Sequence, residues 1–250
     1  AFSPNKRGIT MAANNSSSNG NTGVKTVARR VAPNGEIERL EISKVERITI
    51  TPPKIDVLEI KIRGTAPLVM EAFSRKARMM IRESQQAGSQ AKKGKKREPK
   101  DFQECYEQAK HISHEGWIGV PAAAFRNAAI DACRLCGFKM THAKQAFFIK
   151  ADGFDREDGT PLVRIVTGEP KYAEHMVRNA TGVADIRARP MWDPGWEIIV
   201  RIEFDGDVFS PSDVINLFAR VGRQVGILAG RPFSKNSAGM GWGTFEIVND

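Results

Sequence analysis

The sequence predicts an α+β domain: an antiparallel sheet with helices on one face, in the ferredoxin-like manner. Three observations predict it. Apolar residues alternate along Ile55–Ile62 and again along Trp196–Phe204, as they do in strands with one buried face. A well-marked helix follows the second strand, and a glycine-rich loop then leads to a last strand, Thr244–Val248. The earlier part of the chain repeats the order of strand, helix and strand, which gives the layered α+β pattern.

Taken in order, residues 1–24 are rich in Asn, Ser, Gly and Thr and have little to bury, so the tail over residues 1–44 is expected to be disordered or weakly ordered. Met11 reads as a natural start. The domain is expected over 45–250. Arg47–Thr51 alternates, Pro52-Pro53 breaks the pattern, and Ile55–Ile62 resumes it up to Gly64. Pro67 suits the first turn of a helix running to about Gln86, with Leu68, Phe73, Ala77, Met80 and Ile81 as its apolar stripe. Residues 87–100, AGSQAKKGKKREPK, form a basic, flexible insertion. A helix over Phe102–His111, a short strand at Trp117–Val120 and a helix over Pro121–Cys136 follow. Gln145–Ala151 and Leu162–Thr167 are expected to pair as a hairpin around the turn Asp155-Arg-Glu-Asp-Gly159. Ser210-Pro211-Ser212-Asp213 supplies a cap, a first-turn proline and an acid for the helix that buries Val214, Leu217, Phe218 and Val221.

The 250 residues carry a net charge of +9, with a pI near 9.6. Such a balance favours polyanions. No run approaches the ~20 apolar residues of a membrane span, and no apolar block follows the N-terminal basic residues, so a cytoplasmic protein with no membrane partner is expected. Three cysteines make no disulfide framework. Cys133 and Cys136 share a helix face, but a zinc site lacks its other ligands, and buried thiols are the simpler reading. No metal or cofactor motif appears, and the balance leans away from an enzyme. His142 and His175 are the weak candidates for a catalytic base; His111 and His114 have the spacing of one helix face.

Three segments point to nucleic acid. In Val225–Ile247, Gly226, Gly230, Gly239, Gly241 and Gly243 let a backbone approach closely, and Arg231 and Lys235 add charge that suits a phosphate. Lys92, Lys93, Lys95, Lys96 and Arg97 form a run of the kind that contacts phosphates without reading sequence. Arg178, Arg187 and Arg189 stand near Trp192 and Trp196, a mixture of cations and rings found in single-strand binders. Against these stand plainer roles: a turn-permitting loop, a solvated insertion and core tryptophans.

Two segments also carry a resemblance. Trp117–Arg134, WIGVPAAAFRNAAIDACR, and the Val225–Ile247 loop resemble the repeat-associated mysterious proteins (RAMPs), the backbone subunits of CRISPR effector complexes. From Ile55 to Asn249 the chain is also similar to a protein family of tailed bacteriophages, through GTAPLVMEAFS and ADIRARP. The resemblance implies a ferredoxin-like or RRM-like fold and side-by-side assembly of copies, as a filament or ring, along a single strand. It places the five glycines along that strand and Arg126 at a basic position. Pro232 and Phe233 interrupt the family's usual loop pattern. The expected function is sequence-tolerant binding of single-stranded RNA or DNA. The alternatives are a RAMP-type endoribonuclease, and an assembly or counter-defence factor with a phage or host protein partner.

Overall fold

The computed structural model describes residues 27–31, 37–41, 50–72, 78–79, 81–82, 101–178, 184–234 and 239–248. Chain contacts divide it into two units, residues 1–52 and 53–250. In the first, β1 (Val27–Val31) pairs antiparallel with β2 (Ile37–Glu41). This hairpin falls within the tail expected to be disordered or weakly ordered; Asn34-Gly35, between the two runs, is a strong hairpin signal.

The second unit is α+β, with every strand pair antiparallel. Its strands are β3 (Ile55–Gly64), β4 (Leu68–Val69), β5 (Gly119–Pro121), β6 (Phe147–Lys150), β7 (Gly153–Phe154), β8 (Pro161–Thr167), β9 (Lys171–Arg178), β10 (Ala184–Trp192), β11 (Glu197–Asp205) and β12 (Phe245–Val248). Its helices are α1 (Phe102–Gln108), α2 (Ala122–Leu135), α3 (Met140–Ala146) and α4 (Pro211–Arg220). The main sheet runs β12-β3-β11-β8-β5, with β6 beside β11 and β7 beside β8. A smaller sheet runs β4-β10-β9.

The alternation read from the sequence sets the register at the centre. Ile62 opposes Ile198, Ile60 opposes Val200, and Leu58 opposes Ile202. Alternate residues of β11, from Ile198 to Phe204, are buried in one cluster with Phe125 and Ala129 of α2 and Val214 and Phe218 of α4. Helix α4 starts as predicted: the Ser210 hydroxyl accepts from Asp213 N, and the Asp213 carboxylate accepts from Ser210 N, a capping box.

Three expectations are corrected. Leu68 and Val69 form β4 rather than the start of a helix, because Leu68 and Val69 pair with Trp192 and Met191 of β10 and both side chains are fully buried. Helical turns are described at residues 78–79 and 81–82; Phe73, Ala77 and Met80 lie outside the described residues. The hairpin around Asp155–Gly159 joins β7 to β8, since Gly153 opposes Leu162, whereas β6 pairs with β11. Helix α1 stops at Gln108, so His111 and His114 share no helix: His111 O accepts from Gly119 N, and Ile112 bridges to Ile118. The β9–β10 hairpin had no counterpart in the sequence reading, because its mixed polar residues hide the alternation.

Candidate nucleic-acid interface

The glycine-rich segment folds onto itself. Gly226, Gly230, Gly239, Gly241 and Gly243 all have positive φ, between 65° and 77°, a region that favours glycine. A Cβ on Gly243 would lie 2.0 Å from Ile227 O, and one on Gly230 would lie 2.4 Å from the Trp242 ring. Backbone donors are committed inside the fold. Gly226 N donates to Val221 O, Gly243 N to Pro67 O, and Met240 N and Trp242 N to Gly230 O. Local geometry therefore accounts for the glycines. Arg231 is half-buried and donates to Leu228 O. Lys235 lies outside the described residues, as do Lys92, Lys93, Lys95, Lys96 and Arg97.

The arginine and tryptophan group is answered in the same way. Trp192 is 1% exposed, and its Nε1 donates to Gly168 O, so its ring is a core anchor with no face for a base. Trp196 is equally buried, its Nε1 bonded to Ala66 O. Arg187 Nη1 and Arg189 Nη2 both lie 2.5 Å from Glu71 Oε1, and Arg187 also faces Asp185. Across the β3–β11 ribbon the cations are paired too. Lys61 and Arg63 meet Glu197, and Arg201 meets Glu59 and Asp152. The Arg63 hydrogen bond, aided by Lys61, holds the Glu197 carboxyl below the usual range.

The two weak catalytic candidates stand apart in kind. His142 is exposed on α3, edge-on to Phe138. His175 packs against Trp242 of the glycine-rich segment, ring centroids 4.6 Å apart. Its Nε2 is buried without a hydrogen-bond partner among the described residues, and burial, reinforced by Arg189, lowers its pKa. Cys133 is buried, and burial, together with Cys136, pushes its thiol up to about 11; Cys136 is exposed, contrary to the expectation that both thiols are buried.

A different surface gathers cations along a stretch of sequence without acids. From Ala132 to Ala151 the chain contains no Asp or Glu, yet it carries Arg134, Lys139, Lys144 and Lys150. This stretch spans the end of α2, all of α3 and strand β6. Arg126, on α2, ties the corner together: Nε donates to Phe147 O at 2.9 Å and Nη2 to Lys144 O at 2.5 Å. A cation at these carbonyls suits the C-terminal end of α3. The Arg126 guanidinium also lies 4.8 Å from the centroid of Phe148, whose side chain is 47% exposed. Arg134 bonds the Met140 sulfur at the other end of α3. Lys139, His142 and Lys144 are exposed between them. Acids border this corner: Asp131 precedes the stretch on α2, Asp152 follows it and pairs with Arg201, and Glu203 opposes Phe148 in register and pairs with Lys150.

Of the nucleic-acid-binding residues singled out in the sequence, Arg126 falls in this corner, as does the weak catalytic candidate His142. Lys139, Lys144, Arg134 and Phe148 were not marked, although the acid-free run was visible. Cations beside an exposed ring can hold a phosphate backbone and stack a base. No family model and no curated protein matches the chain.

Proposed function

We propose that the protein binds single-stranded RNA or DNA, with little regard to sequence, through the corner formed by α2, α3 and β6. One observation carries the reading: Arg126 stacks on the exposed Phe148 inside a stretch that holds Lys139 and Lys144 and no carboxylate. Lysine and arginine contacts to phosphates are independent of sequence and sensitive to salt, and an exposed ring accepts any base. The net charge of +9 supports the same partner. The run Lys92–Arg97, with Lys235, belongs to the proposal as further backbone contacts. So do the ferredoxin-like arrangement, the RAMP and phage-family resemblance, and assembly of copies along the strand.

Among the described residues no helix is long and apolar enough to cross a membrane. The RNA-cleaving alternative finds one supporting observation, the place of His175 against the glycine-rich segment. The burial of its Nε2 weighs against it as a base.

Fluorescence anisotropy tests the proposal, with labelled single-stranded DNA, single-stranded RNA and duplex, each at two salt concentrations. The expected result is binding to a single strand that weakens steeply with salt. Absence of binding to all three at low salt sinks the reading.

A further inference from the structure

A second site lies away from this corner. Beyond the end of α1, His111 and Asp155 are 9% and 3% exposed, and His111 Nδ1 lies 2.8 Å from Asp155 Oδ2. Both line an open pocket of about 200 Å³. The turn that carries Asp155 is already closed by other bonds. Asp155 Oδ1 accepts from Glu157 N, Asp155 N donates to Thr160 O, and Gly159 N donates to Asp155 O. The second carboxylate oxygen therefore serves to orient the imidazole. With Nδ1 committed, Nε2 is the ring atom left to meet a ligand, and it has no hydrogen-bond partner among the described residues.

The lining decides the class of ligand. Apart from Ala72 and Ile112 it is polar or charged, so an apolar guest has no counterpart. Among the described residues no three metal-ligating side chains converge, and Glu107 is already paired with Lys110. Cations reach the pocket from three separate segments, Arg78, Lys110 and Arg156, alongside the carboxylates of Glu107, Asp155 and Glu157. Arg78 is held by Asp158 at 2.7 Å. Arg156 is exposed, is anchored through its backbone N to Ile112 O, and forms no ion pair with a described carboxylate. A planar guanidinium and an oriented imidazole on the lining of one pocket suit a tetrahedral oxyanion. The volume is below that of a typical site for a drug-sized ligand, so it suits a small molecule or a terminal group.

We infer that this pocket binds a phosphate monoester group, with the Arg156 guanidinium as its donor and His111 Nε2, the acceptor nitrogen of a ring whose Nδ1–H is held by Asp155, taking the hydrogen bond of a P–OH. The group can come from a small phosphorylated metabolite or from the 5′ end of a strand. The inference does not depend on the nucleic-acid reading.

Calorimetry with inorganic phosphate and with a nucleoside 5′-monophosphate tests it, alongside NMR of the histidine ring protons. Saturable binding is expected, with the His111 resonances moving, and Arg156→Ala weakening it about tenfold or more, the worth of one charged hydrogen bond. Arg156 is an exposed turn residue, so this variant keeps its fold where His111→Gln risks losing it. Matched oligonucleotides with a 5′-phosphate or a 5′-hydroxyl separate the two sources. A preference for the phosphorylated strand assigns the group to a strand end, and equal binding of the two assigns it to a free metabolite. The inference is overturned if phosphate shows no saturable binding up to tens of millimolar. It is equally overturned if binding survives Arg156→Ala unchanged with the His111 resonances still.

Discussion

The glycine-rich segment and the α2–α3–β6 corner both look like nucleic-acid surfaces in composition, but they differ in what their polar groups already hold. In the first, the glycines adopt backbone conformations that the fold demands, and the N–H groups of Gly226 and Gly243 donate to Val221 and Pro67. The neighbouring Arg187 and Arg189 share Glu71. In the second, Lys139 and Lys144 have no carboxylate beside them in sequence, and Arg126 bonds only neutral carbonyls while facing the Phe148 ring. A cation paired with a carboxylate adds little to the field a phosphate meets; an unpaired one adds its full charge. The difference teaches that composition nominates a surface, while the tertiary pairing of its groups decides whether it can act.

The comparison can be broken or sharpened by substitution. The largest effect is expected at Gly243→Ala, where a positive φ and a Cβ 2.0 Å from Ile227 O combine. It should destabilise the fold by about 3 kcal/mol. In a thermal melt that is a fall of about 6–12 °C. A variant as stable as the parent would return the segment to the list of ligand surfaces. Next comes the double variant Lys139→Ala, Lys144→Ala. Both side chains are exposed, so stability should change by less than about 0.5 kcal/mol. The slope of log affinity against log salt for a single strand should shrink by about 1.4, the share of two phosphate contacts. Should Arg187→Ala reduce that slope as much, the distinction between paired and unpaired cations fails.

The smallest effect concerns pH. Burial first, and Arg189 second, lower the pKa of His175, so the folded state disfavours its protonation. At a pH between the lowered folded value and the ordinary value of about 6.5, the unfolded chain binds more protons. The His175 contribution is therefore complete above about 6.5 and declines as the pH falls through that window. His175→Gln should flatten this part of a stability profile measured by denaturant titration. An unchanged slope would show that His175 does not titrate there, and that its contact with Trp242 is insensitive to charge.

Much of the fold was legible because it rests on local periodicity. The alternation of Ile55–Ile62 and Trp196–Phe204 became the paired β3 and β11, and Ser210 to Asp213 became the capping box of α4. The misreadings occurred where a distant partner outweighed local preference. Pro67-Leu68 looks like a helix start, but Leu68 is drawn into β4 by Trp192, far along the chain. Lys171–Arg178 carries no clean apolar alternation, and its pairing with β10 makes it a strand. At the candidate interface, Arg126 was marked through a resemblance, whereas Lys139, Lys144 and Phe148 needed the packing of α3 against α2 to become one surface.

By itself, then, the sequence determined the α+β class, the central strands, the Ser210 cap of α4 and the cationic balance, because each follows from short-range pattern or from simple addition of charge. Only the tertiary structure decided that Trp192 is a core anchor, that Arg187 and Arg189 face Glu71, and that His111 meets Asp155. Those outcomes depend on pairings between residues remote in the chain. Burial and charge neutralisation are properties of such pairs, and no residue carries them alone.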